Sequence, residues 1–354
     1  MKRKMFEYAK NYKETIKAIE KEYVNKIFED LKLGILDISQ PEGFMNAYDY
    51  VQRCSDYSDK NACELYNYYN IKIKEFITFC MNELVKENED NIINKFFEYT
   101  DRIYWFIYNM QRVFYYLDRF FTKINGRHSL TKVGAELYKS NFLKEFQPKV
   151  LSKIFKLIKE EGNAKKDFLK IQIKKLMEIV QDMEIKNPII KKKNNIIKWE
   201  DKNNDITSLE SIEILFYNEY YKYIEEYLKT KSKEVLNENT ISEYILSQVK
   251  YMKEEYEKLN DYFNEIQSES LIYLYYEYKI VKPLEKIDPN NTIFISWIEN
   301  ENFEIISNLY KLSKYDRDNK SNFLQNKVKS YIKFKCENLR KNEEISKNVN
   351  NYSK

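Results

Sequence analysis

Glu243–Phe263, EYILSQVKYMKEEYEKLNDYF, is the stretch whose reading decides the fold. By itself it is an amphipathic helix that carries an acidic pair, Glu254–Glu255, and closes on Tyr262–Phe263. Adjacent helical residues do not face each other, so the two carboxylates are poorly placed to converge on one substrate as acid and base. They read as structural residues that cap or pair with neighbouring helices.

The same helical character extends in both directions. Tyr12–Leu36, Phe44–Ser55, Leu65–Lys86 and Asn94–Lys123 come first. Ile16, Ile19, Tyr23, Ile27 and Leu31 show the helical spacing within the first of them. Breaks are expected at Gln40–Gly43 around Pro41, at Glu89–Asn94, near Thr100–Asp101 and at Asn125–Gly126. Leu137–Phe146 leads through Pro148 into Val150–Lys159, which ends near Glu161–Gly162, and Lys165–Lys186 follows. Asn187–Ser208 is rich in Lys and Asn, contains Pro188, and has little periodicity beyond Ile196–Trp199, so it reads as a flexible loop insertion. Beyond it come Leu209–Lys231, the opening helix, Ser268–Ile280, a linker from Pro283 to Asn291, then Phe303–Tyr315 and Ser321–Leu339. The polar tail Arg340–Lys354 is expected to fray. No segment reads convincingly as a strand, and no repeat is found at the level of sequence identity.

Composition supports this reading. In 354 residues there are only 5 Gly and 5 Pro, so few positions allow a positive φ or force a break. Hydrophobic residues make up 43%, with 32 Tyr and 21 Phe, enough for a continuous core; charged residues, at 33%, suit helices with one wet face. The 60 basic and 56 acidic residues nearly cancel, and basic runs such as Lys191–Lys193 are soon followed by acidic residues, so no nucleic-acid partner is expected. Cys54, Cys63, Cys80 and Cys336 form no CxxC pair and His128 is the one histidine, which argues against zinc. They read as reduced thiols, mostly core filler. His128 is placed in the Asn125–Ser129 loop, far from any triad-like context, and the glycines are too dispersed for a phosphate-cradling loop. No apolar run approaches the ~18 residues needed to span a bilayer, and the N-terminus lacks a signal-peptide core. A cytosolic or nuclear protein without a cofactor or membrane partner is expected.

Three segments resemble the cullin family. The opening helix fits EY-x7-(L/M)-x-EE-x3-(V/L)-x2-Y-(L/F), similar to a signature of the second cullin repeat. Phe28–Ser55, FEDLKLGILDISQPEGFMNAYDYVQRCS, resembles the family's start, a helix ending in DLxxGI followed by (Y/F)MxxYxxV…C(S/T). Asn109–Lys123, NMQRVFYYLDRFFTK, resembles the fifth helix of the first repeat through its YLDR. The likeness covers roughly residues 12 to 340 and weakens in the last third.

This resemblance implies an all-α, elongated helical stalk of cullin repeats, about five helices each. Residues 1–148 would be repeat 1, residues 149–275 repeat 2 with its insertion near 187–208, and residues 276–354 a partial repeat 3. It further implies a non-catalytic, rigid scaffold of a cullin-RING ubiquitin ligase whose first repeat holds an adaptor. By position, the adaptor face would comprise Phe44, Met45, Tyr48 and Val51 with Arg112, Tyr116, Arg119 and Phe120; Phe44, Tyr48 and Val51 share one helical face by spacing. Met110, Val113, Phe114, Leu117 and Phe121 share another face and are assigned to the core. The Met–aromatic helix and its C(S/T) ending look most like the SCF-type cullin, which takes a Skp-type adaptor with F-box receptors. A BTB-type adaptor is the alternative within the family, and Met1–Tyr12 could add contacts. The globular region that holds a RING-box protein has no counterpart, so the chain is read as the N-terminal stalk. Two readings from other classes are a helical-repeat tethering or trafficking scaffold, and a nucleic-acid-associated scaffold using Ile189–Lys202.

Overall fold

A chain this poor in breakers, with apolar residues at i, i+3 and i+4, buries its stripes helix against helix. The computed structural model describes residues 11–36, 43–160, 166–194, 196–201, 209–231, 241–316 and 322–352. The expected breaks around Pro41 and at Glu161–Gly162, and the N-terminal residues 1–10, lie outside the described residues. Cα packing divides the chain into two compact units, Met1–Glu161 with Asp167–Glu213, and Gly162–Lys166 with Ile214–Lys354.

In the first unit, α1 (Tyr12–Ile19) passes through a π-helical turn (Glu20–Val24) into α2 (Asn25–Lys32). Then come α3 (Phe44–Tyr57), α4 (Asp59–Val85) and α5 (Ile92–Val113). The α5 helix runs unbroken past Thr100–Asp101 and ends instead at Phe114, before a π-helical turn at Leu117–Thr122. Next, α6 (Leu130–Leu137) continues through a π-helical turn (Tyr138–Leu143) into α7 (Lys144–Glu160), so Pro148 lies inside a helix where the sequence suggested a boundary. The core is aromatic: Phe76 stacks on Phe106 at 4.3 Å, Phe28 meets both edge-on, and Phe96, Phe142 and Phe146 form a second group.

After α8 (Lys166–Met183) the expected loop is replaced by an antiparallel hairpin of β1 (Pro188–Lys193) and β2 (Ile196–Asp201). Pro188 pairs with Asp201 and Lys193 with Ile196, so the connection is two residues long, and Asn194 there has a positive φ of 51°. Ile190, Ile197 and Trp199 are buried, and Trp199 meets Tyr104 of α5 edge-on at 5.3 Å. Adjacent Ile189–Ile190 and three consecutive lysines leave β1 without the apolar–polar alternation that marks a strand in sequence. The rest of the expected insertion, residues 202–208, lies outside the described residues. Apart from this hairpin, the fold of the described residues is all-α.

The division between the units falls within α9 (Leu209–Lys231). The signature segment is α10 (Ile241–Leu259) plus a turn to Phe263, whose ring stacks on Tyr220 of α9 at 4.9 Å. A reciprocal cap between Asn264 and Gln267 opens α11 (Glu265–Tyr276). A π-helical turn (Glu277–Val281) then carries the chain into α12 (Lys282–Ile287), so the expected Pro283 linker starts as a helix, with Pro283 in the first turn where its missing N–H is harmless. The buried Asp288 accepts the backbone N–H groups of Ile293 and Phe294 at the start of α13 (Thr292–Glu299) and pairs with buried Lys327 at 3.3 Å. Then follow α14 (Phe303–Ser313) and α15 (Phe323–Tyr352), which continues helical where the tail was expected to fray.

Candidate functional site

The site is built where α1, α3 and α5 of the first unit meet. Gly43 precedes α3 with φ +89°, a left-handed value that favours glycine, and a Cβ there would collide with the Glu22 backbone carbonyl. That close approach brings the start of α3 against the π-helical turn after α1. The α3 stripe that faces inward is Ala47, Val51 and Cys54, spaced i, i+4, i+7 and wholly buried.

Val51 is therefore a core residue, and its assignment to an adaptor-contacting surface is corrected. Spacing made it a neighbour of Tyr48, but it is equally a neighbour of Ala47 and Cys54, and packing chose the second set. Phe44 and Tyr48 flank the buried stripe and stay half-exposed, while Met45 is 65% exposed.

On α5, Arg112 sets its guanidinium over the Phe44 ring at 4.7 Å and over Tyr108 at 5.5 Å. Tyr23 packs on the same Phe44 at 5.8 Å and donates its hydroxyl to Asn109 at 3.4 Å. Burial raises the Tyr23 phenol, with the nearby Arg112 charge opposing the rise. Phe44 is thus held by one ring and one cation.

Beyond the α5 end, Tyr116 donates its hydroxyl to the Asp56 carboxylate on α3. That hydrogen bond is the main reason the phenol is pushed up to about 12. Tyr116 also packs on Phe120 at 4.5 Å, and Arg119 lies over Phe120 at 5.2 Å. Arg119 and Phe120 are exposed. Met110, Val113, Phe114, Leu117 and Phe121 are all buried, as their spacing indicated. Asp118 within YLDR is structural: its carboxylate accepts the Leu130 backbone N–H at 2.7 Å, tying the π-helical turn to the start of α6. Burial pushes its pKa up to about 6, against that hydrogen bond.

Two parts of the site were missed in the sequence. Tyr108, Gln111 and Tyr115 line a groove with Phe44, Tyr48 and Arg112. Their signal was present, since 108, 111 and 112 are spaced i, i+3, i+4 on one face of α5 and Tyr115, just past its end, follows at i+7. Ile190, Lys191 and Lys192 of the hairpin form the other wall, and no local signal placed them there.

Elsewhere, His128 is exposed and its backbone carbonyl accepts the Tyr66 hydroxyl at 3.2 Å. Cys54 and Cys80 are buried, Cys336 is exposed. Among the described residues no group of three His, Cys, Asp or Glu could hold a metal, and no helix is long and apolar enough to cross a membrane.

The model of the cullin alpha solenoid domain matches residues 19–354. The chain belongs to the cullin family. No curated protein matches it at a significant level. In this cullin, the α3–α5 surface combines half-open aromatic rings with fixed cations, an arrangement suited to binding another protein.

Proposed function

We propose that this cullin is a rigid scaffold subunit of a ubiquitin ligase, working in the cytoplasm or nucleus, whose first unit docks a Skp-type adaptor that carries F-box receptors. Repeat boundaries at residues 148 and 275 go with that reading. Family membership supports the scaffold role. The observation that carries the docking role is the surface where half-exposed Phe44 and Tyr48 adjoin Arg112 and exposed Met45. Aromatic and arginine side chains dominate binding energy at protein interfaces, because they bury large areas while hydrogen-bonding at the edge. Phe44, held by Tyr23 and Arg112, and Tyr116, held by Asp56, lose little freedom on binding. A stiff scaffold then sets the distance between a bound receptor and the charged enzyme, which raises effective concentration.

The test is titration of a Skp-type adaptor, with a BTB-type adaptor in parallel. Tyr48→Lys should cost about 2 kcal/mol or more of binding, roughly 30-fold in Kd, with helical content by circular dichroism unchanged. Binding of the BTB-type adaptor alone would reassign the partner. Binding of neither would leave a tethering scaffold, and loss of helix in the variant would return Tyr48 to the core.

A further inference from the structure

The hairpin turns a nearly neutral chain locally basic. Its exposed Lys191 and Lys192 join Arg112 around the aromatic groove, with Lys192 over the Trp105 ring at 4.8 Å. Across β1 lies a second cleft, lined by Arg119, Lys123, Arg127 and Lys132 and walled by Ile189 and Ile190. The two hollows share Gln111, Tyr115 and Ile190, so they form one continuous surface. Seven cations line it, and the single lining carboxylate is Asp118, which is turned to the Leu130 N–H. The chain as a whole has 60 basic against 56 acidic residues, so composition does not explain this clustering.

Several of these cations are held in place. Arg127 lies over Tyr66 at 5.1 Å and Phe121 at 5.4 Å, and donates to the Cys63 Sγ at 3.3 Å. Lys191 pairs with Glu200 at 2.6 Å, a half-exposed contact that a stronger acidic partner can replace. Like charges gathered on a rigid surface repel, and an acidic ligand relieves the repulsion.

We infer that this hairpin-walled cleft receives an acidic segment of the partner protein, carrying an apolar anchor for the groove beside Met45 and Ile190. The inference deepens the docking reading by naming the chemistry of the partner at that same surface. Nucleic acid fits less well: Arg112 already covers the Phe44 and Tyr108 rings on which bases would stack.

The test uses the full chain and a fluorescein-labelled 14-residue peptide of Asp and Glu with one Leu and one Phe, read by anisotropy at low salt, with a 14-nucleotide uridine RNA and a Skp-type adaptor in parallel. The wild-type chain should bind the peptide. Lys123→Glu with Lys132→Glu, or Lys191→Glu with Lys192→Glu, should weaken peptide and adaptor at least tenfold, and added salt should weaken the wild type toward the same level. Failure of the wild type to bind the peptide, or a change under twofold in the variants, overturns the inference. Tighter binding of the RNA, lost in the same variants, overturns it in favour of nucleic acid. If the adaptor binds and Tyr48→Lys abolishes that binding while the charge reversals change nothing, the inference alone fails. If no adaptor binds but the peptide does so in a charge-sensitive way, the docking reading alone fails.

Discussion

At Phe44 in the first unit, an aromatic ring lies half open with a guanidinium over it; at Tyr220 in the second, the ring is sealed and stacks on Phe263. Both lie on helices rich in Tyr and charge. The second belongs to the surroundings of the signature segment, where Glu255 is 5% exposed and paired with Lys258 at 2.8 Å. Burial raises the Tyr251 and Tyr275 phenols, and the Glu255 carboxylate beside them adds to the rise. Its neighbour Glu254 is exposed and reaches Lys250 at 3.8 Å. The comparison separates two settings: the signature segment packs within the core of the second unit, while on the proposed docking surface of the first the rings stay half open.

Glu255→Ala should show this most strongly. It removes the buried carboxylate paired with Lys258, so urea unfolding should lose about 3 kcal/mol with adaptor affinity unchanged. Equal losses of stability and affinity would break that separation. Asp182 of α8 tests the first unit: burial pushes its pKa up to about 7, Glu178 adds to the rise, and Lys198 of the hairpin opposes it. Because the folded pKa lies above the unfolded value of 3.8, stability falls as pH rises from about 4 to 7. Asp182→Asn removes that fall, so its melting temperature should exceed the wild type's by more at pH 8 than at pH 5. Tyr116→Phe removes only the hydrogen bond to Asp56, and should lower adaptor affinity by about 1 kcal/mol without altering stability measurably. Glu254→Ala, at an exposed pair, should change either quantity by no more than about 0.5 kcal/mol.

Much of the helical fold was legible, because burying one face every 3.6 residues leaves a mark that needs no partner to be read. Met110, Val113, Phe114, Leu117 and Phe121 are core for that reason. The misreadings have a different cause. Pro148 and Pro283 were taken as boundaries, yet one sits inside a helix and the other in a first turn. Helix α13 was missed because Asn291 and Pro289 looked like linker, whereas its start is capped by Asp288 from before the turn.

The chain's own residues determined that this is an array of helices, which stripes they bury, and that it belongs with the cullins, since periodicity and a signature segment are local properties. Tertiary structure decided which of two equivalent neighbours Val51 joins, and that a lysine-rich stretch folds into a hairpin against α5, walling the groove beside Phe44. Those outcomes depend on surfaces far apart in sequence meeting, and side-chain spacing along one helix carries no record of what will cover it.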